Sequence, residues 1–518
     1  MNVTTRRTTA SLLALGLFAI SSAALATNGY FTHGVGTQSK GMAGTGIGSN
    51  ANMGAVMSVS NPALGVFAGD RWEAGISVFS PRRSYEAFET SQPFPGAPID
   101  LGPLNPGLGT CNPADPDFNP AACMPSHTID TGKIDSGSEY FPIPYAAKNW
   151  SLEGDANITA AFYGRGGMNT NWNDPNAGAT SYFCGGDPFA GEPPVSGTGP
   201  YCADRTSSAD GSIGGTAGVN LMQAFLAVNY SNKVNENFAW GAGPVFAVQM
   251  FEARGIATFA PITESFAESP SPFPIQAAPN LTNNDADTSY GFGFAAGLWW
   301  AMSDTVSLGL AYQSRMYMSE FDDYADLFAE DGDFDIPSSI KVGLSVMASE
   351  QLRVNFDIEH TAYGEVDSIA NPMSNMLQCG SPALPPAFPF GGSDNESCLG
   401  GDNGPGFGWE DMTTYKLGFE WTQNETNTWR FGYSYGEQPI QEADVLFNIL
   451  APGVMEQHIT FGLTRQMANG SELNFSFMYA PENSVTGPSF FDPGPDFQSP
   501  QLIELTMSQL EFEVSYSF

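Results

Sequence analysis

Four histidines are the side chains of this chain best suited to acid–base chemistry near neutral pH. They are His33, His127, His360 and His458. A hydrolase of the Ser-His type needs a histidine beside a serine and a third group that orients the histidine. No such arrangement can be assigned from the sequence. His458 shares a predicted strand face with Glu456 and Thr460, where a hydrogen bond to a neighbouring strand is the simpler interpretation. We therefore expect no enzymatic activity and no cofactor.

Six cysteines could form disulfides or bind a metal ion. They are Cys111, Cys123, Cys184, Cys202, Cys379 and Cys398. No Cys-x-x-Cys motif or nearby histidine supports a metal site. An even number of cysteines in an exported chain indicates disulfides, and the fifteen possible pairing schemes reduce to one if each bridge lies within a single loop. That scheme is Cys111–Cys123, Cys184–Cys202 and Cys379–Cys398.

Basic side chains could bind an anionic ligand, but they are few. The net charge is −37 with only 18 Lys and Arg, so we expect no nucleic-acid partner because phosphates could not be neutralised. Four basic residues lie on the polar faces of predicted strands: Arg315, Arg353, Lys416 and Arg430. They can contact a ligand carboxylate or pair with acidic residues of the protein. Glu410 and Glu420 share the face of Lys416, so we expect Lys416 to be paired already.

β-Strands must position these side chains. Near the carboxyl end, apolar residues alternate with polar ones as Gln509, Leu510, Glu511, Phe512, Glu513, Val514, Ser515, Tyr516, Ser517 and Phe518. Period-2 alternation that ends on an aromatic residue is typical of a membrane β-barrel, with apolar side chains toward lipid and polar ones toward the lumen. A strand of a soluble sheet is the alternative, and it would need a second layer over its apolar face.

The same alternation predicts fourteen strands along the chain. They are residues 71–80, 138–147, 156–165, 220–231, 237–252, 288–301, 305–318, 336–347, 351–363, 411–422, 427–437, 456–467, 471–481 and 505–518. Connections after even-numbered strands are short, such as 302–304, whereas those after odd-numbered strands are long, such as 166–219. Short turns opposite long loops are typical of outer-membrane barrels. We predict an all-β fold, a 14-stranded antiparallel transmembrane β-barrel.

The start of the chain and its composition indicate the compartment. Residues 1–26 have the features of a secretory signal peptide, with Arg6 and Arg7 before an apolar stretch and a cleavage site at Ala24-Leu25-Ala26. Only 14% of the residues are charged and 13% are aromatic, which favours a lipid-facing wall with aromatic girdles. We expect residues 69–518 to form a monomeric barrel in the outer membrane of a Gram-negative cell. Its other expected partners are membrane lipid, lipopolysaccharide and, through Phe518, the barrel-assembly machinery.

Residues 27–68 precede the first strand and lack its alternation. The part from Gly34 to Gly48 is rich in glycine, which permits tight turns and close packing. A plug, or hatch, inside the lumen would account for this segment because a barrel of fourteen strands otherwise leaves a channel. A flexible leader is the alternative.

Residues 319–332 predict a short amphipathic helix in an external loop. Its apolar residues recur at helical spacing, Ser319 and Asp322 can form a capping box, and Gly332 can end the helix. These apolar residues are Phe321, Tyr324, Leu327 and Phe328. They require a partner, either another loop or a ligand. Calcium binding by the acidic residues would lack the ligand order of an EF-hand.

Several strings resemble the FadL family of outer-membrane transporters for long-chain fatty acids and other hydrophobic compounds. They are Asn28-Gly-Tyr-Phe31, Gly36-Thr-Gln-Ser-Lys-Gly-Met-Ala-Gly-Thr-Gly46, Asn61-Pro62-Ala63, Tyr163-Gly-Arg-Gly-Gly-Met-Asn-Thr170, Gly332-Asp-Phe-Asp-Ile-Pro337, Trp429-Arg-Phe-Gly-Tyr-Ser-Tyr435 and Asn448-Ile-Leu-Ala-Pro-Gly453. The resemblance implies a hatched barrel whose kinked third strand opens the wall toward the membrane. Gly164, Gly166 and Gly167 allow a bulge at that place, or a simple turn, and Asn61, Pro62 and Ala63 are expected to lie against it.

The resemblance also implies a route for a hydrophobic small molecule. An external groove would combine the predicted helix with Phe259, Ile262, Phe266 and Phe273, although packing between the loops without ligand is the alternative. Fatty-acid members have a Gly-aromatic-Lys-Asp string where this chain has Gly408-Trp409-Glu410-Asp411, so a neutral hydrocarbon fits at least as well as a fatty acid. The hatch is too short for energy coupling, and we expect passive uptake. A general diffusion porin and a surface adhesin or receptor are the remaining alternatives.

Overall fold

The computed structural model describes most of the chain after the predicted signal peptide. The described residues are 28–51, 53–91, 131–172, 217–270, 277–381, 392–490 and 499–518, with 99–100, 179–180, 196–197, 492, 494 and parts of 101–130. The signal peptide predicted over residues 1–26 lies outside them.

Fourteen long strands form a closed antiparallel β-barrel. In chain order they are β1 (Arg71–Ala87), β2 (Phe141–Ser151), β3 (Ala156–Asn169), β4 (Gly218–Asn235), β5 (Phe238–Arg254), β6 (Asp287–Ala301), β7 (Val306–Gln313), β8 (Ser339–Met347), β9 (Leu352–Thr361), β10 (Met412–Asn424), β11 (Asn427–Gly436), β12 (Gln457–Gln466), β13 (Glu472–Pro488) and β14 (Leu502–Ser517). Each strand overlaps one predicted from the sequence. The predicted strand number and fold class are therefore confirmed.

The barrel closes by pairing of its first and last strands. β1 and β14 pair from Glu73 opposite Ser517 to Ala87 opposite Ile503. Along β14 the outward-facing Leu510 is exposed whereas the inward-facing Glu511 is buried, as the alternation predicts. Such alternation lets one strand face lipid with its apolar side and the lumen with its polar side.

Short connections alternate with long ones around the barrel. The turns after even-numbered strands comprise 152–155, 236–237, 302–305, 348–351, 425–426 and 467–471, whereas the odd-numbered strands are followed by longer loops. Two short strands in these loops, Gly132–Asp135 and Tyr317–Met318, pair with β1 and β6. Two small ribbons pair Ile99–Asp100 with Cys123–Met124 and Ala179–Thr180 with Ser196–Gly197.

Within the described ranges the helices are all short and lie outside the barrel strands. The α-helical segments are Thr37–Lys40, Gly65–Ala68, Glu264–Glu268, Ala329–Gly332, Asp367–Ala370 and Val445–Asn448. The 3-10 turns are Ala55–Val59, Pro62–Leu64, Ala257–Ile262, Asp322–Tyr324, Tyr363–Glu365, Met373–Gln378, Asn395–Ser397 and Glu442–Asp444. Among the described residues, no helix is long and apolar enough to cross a membrane.

The continuous helix predicted over residues 319–332 is wrong. The structure has only the turns Asp322–Tyr324 and Ala329–Gly332, and no side chain caps the first of them. Glu330 and Asp331 have left-handed backbone conformations with φ of 55° and 57°, which a continuous α-helix excludes. The apolar spacing instead serves packing onto the barrel, as described below.

Residues 28–68, hereafter the amino-terminal segment, lie against the inward faces of the strands. Lys40 Nζ contacts Glu511 Oε1 at 2.5 Å and Glu513 Oε2 at 2.6 Å, both on β14. The backbone N–H of Gly46 donates to Asp357 of β9 at 2.8 Å. These contacts join the segment to well-separated parts of the wall.

One of the three predicted disulfides is fully described. Cys379 and Cys398 are bonded within the loop between β9 and β10, with a Cα–Cα distance of 4.6 Å. Cys111 is disulfide-bonded as well. The side chains of Cys123, Cys184 and Cys202 lie outside the described part of the chain, so those pairings stay predictions.

Candidate functional site

The third strand contains a bulge next to the amino-terminal segment. β3 pairs with β4 through Gly164 opposite Ala224 and Gly166 opposite Gln223, so Arg165 is an extra residue without a partner in β4. A Cβ atom on Gly166 would lie 1.8 Å from Gln223 Oε1, so a side chain there would have to displace the Gln223 amide. The bulge predicted from the glycines is therefore present in the strand itself and is not a turn into the following loop.

The pairing of β2 with β3 stops at this bulge. The two strands pair from Ser151 opposite Asn157 to Tyr145 opposite Tyr163 and no further. Residues 141–144 of β2 remain paired with β1. Only the edge of these residues that faces β3 lacks a partner among the described strands. Two of these residues, Pro142 and Pro144, have no N–H and cannot donate to a neighbouring strand. We call this break, between residues 141–144 and 164–169, the ladder gap.

The amino-terminal segment occupies the edge of β3 that β2 leaves. Phe31 forms an antiparallel bridge with Gly166. The N–H of Thr32 donates to the Arg165 carbonyl at 2.8 Å, and the N–H of Gly167 donates to the Tyr30 carbonyl at 3.1 Å. Because the opposite edge of β3 is bonded to β4, this contact takes the position that a continued β2 would have. Residues 30–32 thus cover the backbone at the ladder gap.

Apolar side chains surround the ladder gap on the inner side. Phe79 of β1, with Phe141 and Ile143 of β2, are buried, and Tyr163 of β3 stacks on Phe225 at a centroid distance of 5.3 Å. All of them belong to one apolar cluster that continues into the external loops. Apolar side chains are therefore continuous from the external loops to the gap.

The four predicted lumen cations are all paired within the protein. Arg315 Nε lies 2.6 Å from Asp335, Arg353 Nε 3.8 Å from Glu420, Lys416 Nζ 2.6 Å from Glu359 and Arg430 Nη2 2.9 Å from Glu420. The expectation that Lys416 is paired is confirmed, but the partner expected from its own strand is wrong. Lys416 lies opposite Asp357, so its inward neighbour Glu359 is on the adjacent strand. These cations are poor candidates for binding a ligand carboxylate.

The predicted groove residues are buried in the external loops. Phe321, Tyr324 and Phe328 pack on Phe251 of β5 with centroid distances of 5.7, 4.8 and 4.7 Å, and Leu327 is half-buried beside them. Phe259 packs instead on Phe447 at 5.3 Å, while Ile262 and Phe266 are buried nearby. Phe273 lies outside the described residues. The structure therefore does not form these side chains into one open groove.

Residues 399–401 connect the two parts of the predicted groove. The N–H of Glu264 donates to the Leu399 carbonyl at 2.9 Å. The N–H of Asp331 donates to the Gly400 carbonyl, also at 2.9 Å. Cys398, which is disulfide-bonded to Cys379, directly precedes this stretch.

The arrangement agrees with comparisons to known proteins. A family model described as outer membrane protein transport protein (OMPP1/FadL/TodX) matches residues 201–488, which is more than half of the chain. The chain belongs to this family. The FadL resemblance inferred from short strings is thereby confirmed, and the protein is one of the outer membrane. Its family is one of transport proteins and not of enzymes.

Solved structures of FadL/TodX proteins have the same fold. The toluene transporter TodX of Pseudomonas putida has 16% sequence identity, a TM-score of 0.55, and alignment over 94% of this chain and 98% of that one. A FadL homologue of Pseudomonas aeruginosa has 14% identity, a TM-score of 0.53, and alignment over 95% of this chain and 99% of that one. Among curated proteins, no sequence matches the chain.

The Asn-Pro-Ala motif of this FadL/TodX protein does not lie against the bulge, so that expectation is wrong. Asn61 Nδ2 donates to the carbonyls of Ile47 and Leu298, the latter in β6. A Cβ atom on Gly241 of β5 would lie 2.4 Å from Pro62. Gly241 is paired with Gly297 of β6, and these two glycines leave a depression that accommodates the turn. Residues 30–32 contact the bulge in place of the motif.

His458 lies in the barrel wall, and the described residues contain no cluster of side chains that could hold a metal ion. His458 Nδ1 lies 3.0 Å from Ser434 Oγ on the adjacent strand, and its ring stacks on His33 at 5.7 Å. This is the inter-strand hydrogen bond that the sequence predicts. No group of three or more His, Cys, Asp or Glu side chains in the described ranges could hold a metal ion.

Two features of the ladder gap were not predicted from the sequence. Pro142 and Pro144 alternate within a predicted strand, and proline at alternate positions removes the donors of one strand edge. That signal was available in the sequence. The pairing of Tyr30 to Thr32 with β3 has no comparable local signal, because it joins residues more than a hundred positions apart.

Proposed function

We propose that the protein passively transports hydrophobic compounds, long-chain fatty acids or alkane or aromatic hydrocarbons, into the outer membrane. The solute enters through the external loops, passes into the barrel and leaves sideways between β2 and β3. The observation that carries the proposal is the ladder gap, where β2 ends its pairing with β3 at Tyr145 and Tyr163. Membership of the family supports transport in general, and the gap supports the lateral route.

A lateral exit suits the solute energetically. Transfer of each methylene from water to an apolar environment is favourable by about 0.8 kcal/mol, so a hydrocarbon chain gains nothing by entering the aqueous periplasm. The wall around the gap offers the apolar Phe79, Phe141 and Ile143 instead. A solute that leaves there never has to return to water.

The amino-terminal segment acts as the hatch in this proposal. Lys40 is held by two carboxylates of β14, and Asp357 of β9 accepts hydrogen bonds from the N–H groups of Gly46 and Ile47. Residues 30–32 are held at β3 by two backbone hydrogen bonds. Release of residues 30–32 therefore costs far less free energy than release of the whole amino-terminal segment. We infer that residues 30–32 uncover the gap while the remainder stays bound.

The external loops provide the entrance in this proposal. Phe321, Tyr324 and Phe328 form an apolar layer over Phe251, continuous with the apolar cluster of the barrel. A solute would insert by parting this layer from the layer that contains Phe259 and Phe266. No cofactor and no energy source is required, because the solute moves down its own gradient.

A reversible lock across the ladder gap tests the route. A Cβ atom on Gly164 would lie 2.9 Å from Ile143 Cγ2, so cysteines at these two positions come close enough for a disulfide. Cells that carry Ile143→Cys with Gly164→Cys should take up labelled hexadecane or hexadecanoate at the rate of cells without the protein. Reductant should restore uptake.

Three controls accompany the lock. The parent protein with and without reductant measures any effect of opening the native disulfides, and each single cysteine variant measures the effect of the substitution alone. Equal amounts of folded protein must be present in the membrane. Uptake at the parental rate by the fully oxidised double variant would exclude a lateral exit at this place.

A further inference from the structure

Among the described residues, Arg83 is a buried cation without a carboxylate partner. Its side chain faces the lumen from β1 and is 5% exposed. The other buried lysines and arginines of the described residues are all ion-paired: Lys40, Lys148, Arg165, Lys416 and Arg430. Arg83 forms no ion pair within the described ranges. Its Nη2 donates one long hydrogen bond of 3.4 Å to the Ser138 carbonyl, and its Nε has no partner there.

An unpaired guanidinium in this position is energetically unfavourable. Arginine stays charged at every physiological pH, so it cannot relieve burial by losing its proton. A buried charge is normally compensated by an opposite charge or by several hydrogen bonds. Arg83 has a contact with the ring of Phe141, whose centroid lies 5.7 Å from Cζ, but this cation–π contact supplies no negative charge. None of the described residues supplies the anion that would balance this charge.

We propose that Arg83 binds the carboxylate of an amphiphilic substrate at the ladder gap. This inference rests on the proposed transport function and selects the carboxylic acids among the proposed substrates. A carboxylate accepts two parallel hydrogen bonds from a guanidinium, which matches the free donors of Arg83. The acid group would lie at Arg83 while the hydrocarbon chain leaves beside Phe141, the first residue of β2 at the gap.

The surroundings of Arg83 favour a carboxylate with an apolar tail over a phosphate. Arg83 lies opposite Met507 of β14, and the neighbouring inward-facing residues Tyr85 and Leu505 are buried and apolar. A phosphate monoester carries between one and two negative charges at neutral pH, and no second unpaired buried cation is present among the described residues to balance it. One guanidinium matches one carboxylate.

Arg83 differs from the four cations that the sequence predicted to contact a ligand. Arg315, Arg353, Lys416 and Arg430 are satisfied by the protein, so their contribution to the recognition of acids is small. If Arg83 binds the acid group, the protein discriminates between an acid and a neutral analogue of equal length. A transporter for neutral hydrocarbons would not make that distinction.

The test compares an acid with its ester. Full-length protein in lipid nanodiscs is titrated with hexadecanoate and with methyl hexadecanoate, and the ratio of the two affinities is measured. The parent should prefer the acid. Because hydrogen bonds to a charged group contribute about 1.5–3 kcal/mol, Arg83→Met should reduce the ratio by about tenfold or more. Arg83→Lys keeps the charge but loses the two parallel bonds, so its ratio should lie between these values.

Arg82→Met is the matched control. Arg82 is the neighbouring residue, faces outward and pairs with Glu139 at 2.6 Å, so its loss should keep the parental ratio. Thermal melting of each variant checks folding. If Arg83→Met does not fold, the affinity ratio of Arg83→Lys tests the inference instead. A parental ratio in whichever folded Arg83 variant is measured overturns the inference. A parent protein that binds neither compound contradicts the transport proposal itself.

Discussion

Phe31 of the amino-terminal segment bridges Gly166 on the edge of β3 that β2 leaves unpaired. The segment and the wall therefore share one ladder at this place. Any event that withdraws residues 30–32 also changes the wall, which links the position of this segment to the state of the ladder gap.

Weakening this contact should speed uptake. Thr32→Pro removes the N–H that donates to the Arg165 carbonyl at 2.8 Å. A backbone hydrogen bond contributes about 1 kcal/mol, so release of the segment should become about fivefold more favourable. Initial uptake rates of labelled hexadecane measure the effect. Thr32→Ala is the matched control because it keeps the N–H, and Thr32 Oγ1 has no hydrogen-bond partner among the described atoms. Equal rates for the two variants would contradict a gating role.

Loss of the hatch anchor should destabilise the protein strongly. Lys40→Met leaves Glu511 and Glu513 buried beside each other without a cation. Removal of one partner from a buried ion pair costs about 3–5 kcal/mol. Unfolding by urea in detergent micelles measures the change. Adding Glu511→Gln and Glu513→Gln to Lys40→Met should recover much of the stability, and a triple variant as unstable as the single one would show that charge is not the cause.

Stability of the loop between β7 and β8 should depend on pH through Asp333. Burial and the adjacent Asp335 raise the pKa of Asp333 from 3.8 to about 7, against the lowering effect of Arg315. An acid whose pKa is raised by folding stabilises the native state while protonated. The contribution of Asp333 to the stability of the loop should therefore be largest below about pH 4. It should be lost as the pH rises to 7.

Hydrogen exchange provides the measurement for this loop. Amides near residue 333, corrected for the intrinsic pH dependence of exchange, should be better protected at pH 5 than at pH 8. Asp333→Asn should markedly reduce the pH dependence of this protection in that interval. The same pH dependence in Asp333→Asn as in the parent would assign the effect to another group.

The disulfide Cys379–Cys398 should stabilise the entrance more than the barrel. It closes a loop with a sequence separation of 19, for which the chain-entropy model gives about 3 kcal/mol. Cys379→Ala with Cys398→Ala should increase proteolysis near residues 399–401 and slow uptake, while the barrel melting temperature changes little. Peptide mapping without reductant should also recover Cys111–Cys123 and Cys184–Cys202. Uptake at the parental rate in the double variant would show that this loop is not part of the entrance.

The barrel could be predicted from the sequence because each strand carries its own signal. In β14 every second residue is apolar from Leu510 to Tyr516, and the observed burial follows that pattern. Such a pattern needs no knowledge of neighbouring strands. The partner of Lys416 does need it, because Glu359 becomes its neighbour only through the register of β9 with β10.

The external loops were predicted less well because their apolar spacing has two explanations. Phe321, Tyr324 and Phe328 fit the period of a helix, but they equally fit three contacts with one ring, that of Phe251. Long-range packing decides between these possibilities, and local sequence does not contain it. The predicted position of Asn61 was wrong for the same reason. The depression that accommodates its turn is formed by Gly241 and Gly297, which lie on two other strands.

The two prolines of β2 have a consequence for how long the wall can stay uncovered. When residues 30–32 withdraw, the carbonyl of Arg165 and the N–H of Gly167 lose their partners, and Pro142 and Pro144 leave β2 without donors to replace them. Unpaired backbone groups in a hydrocarbon environment are strongly unfavourable. In the proposed route, the interaction that must break for a solute to pass therefore also acts as a restoring force. The wall would then close by itself after each passage.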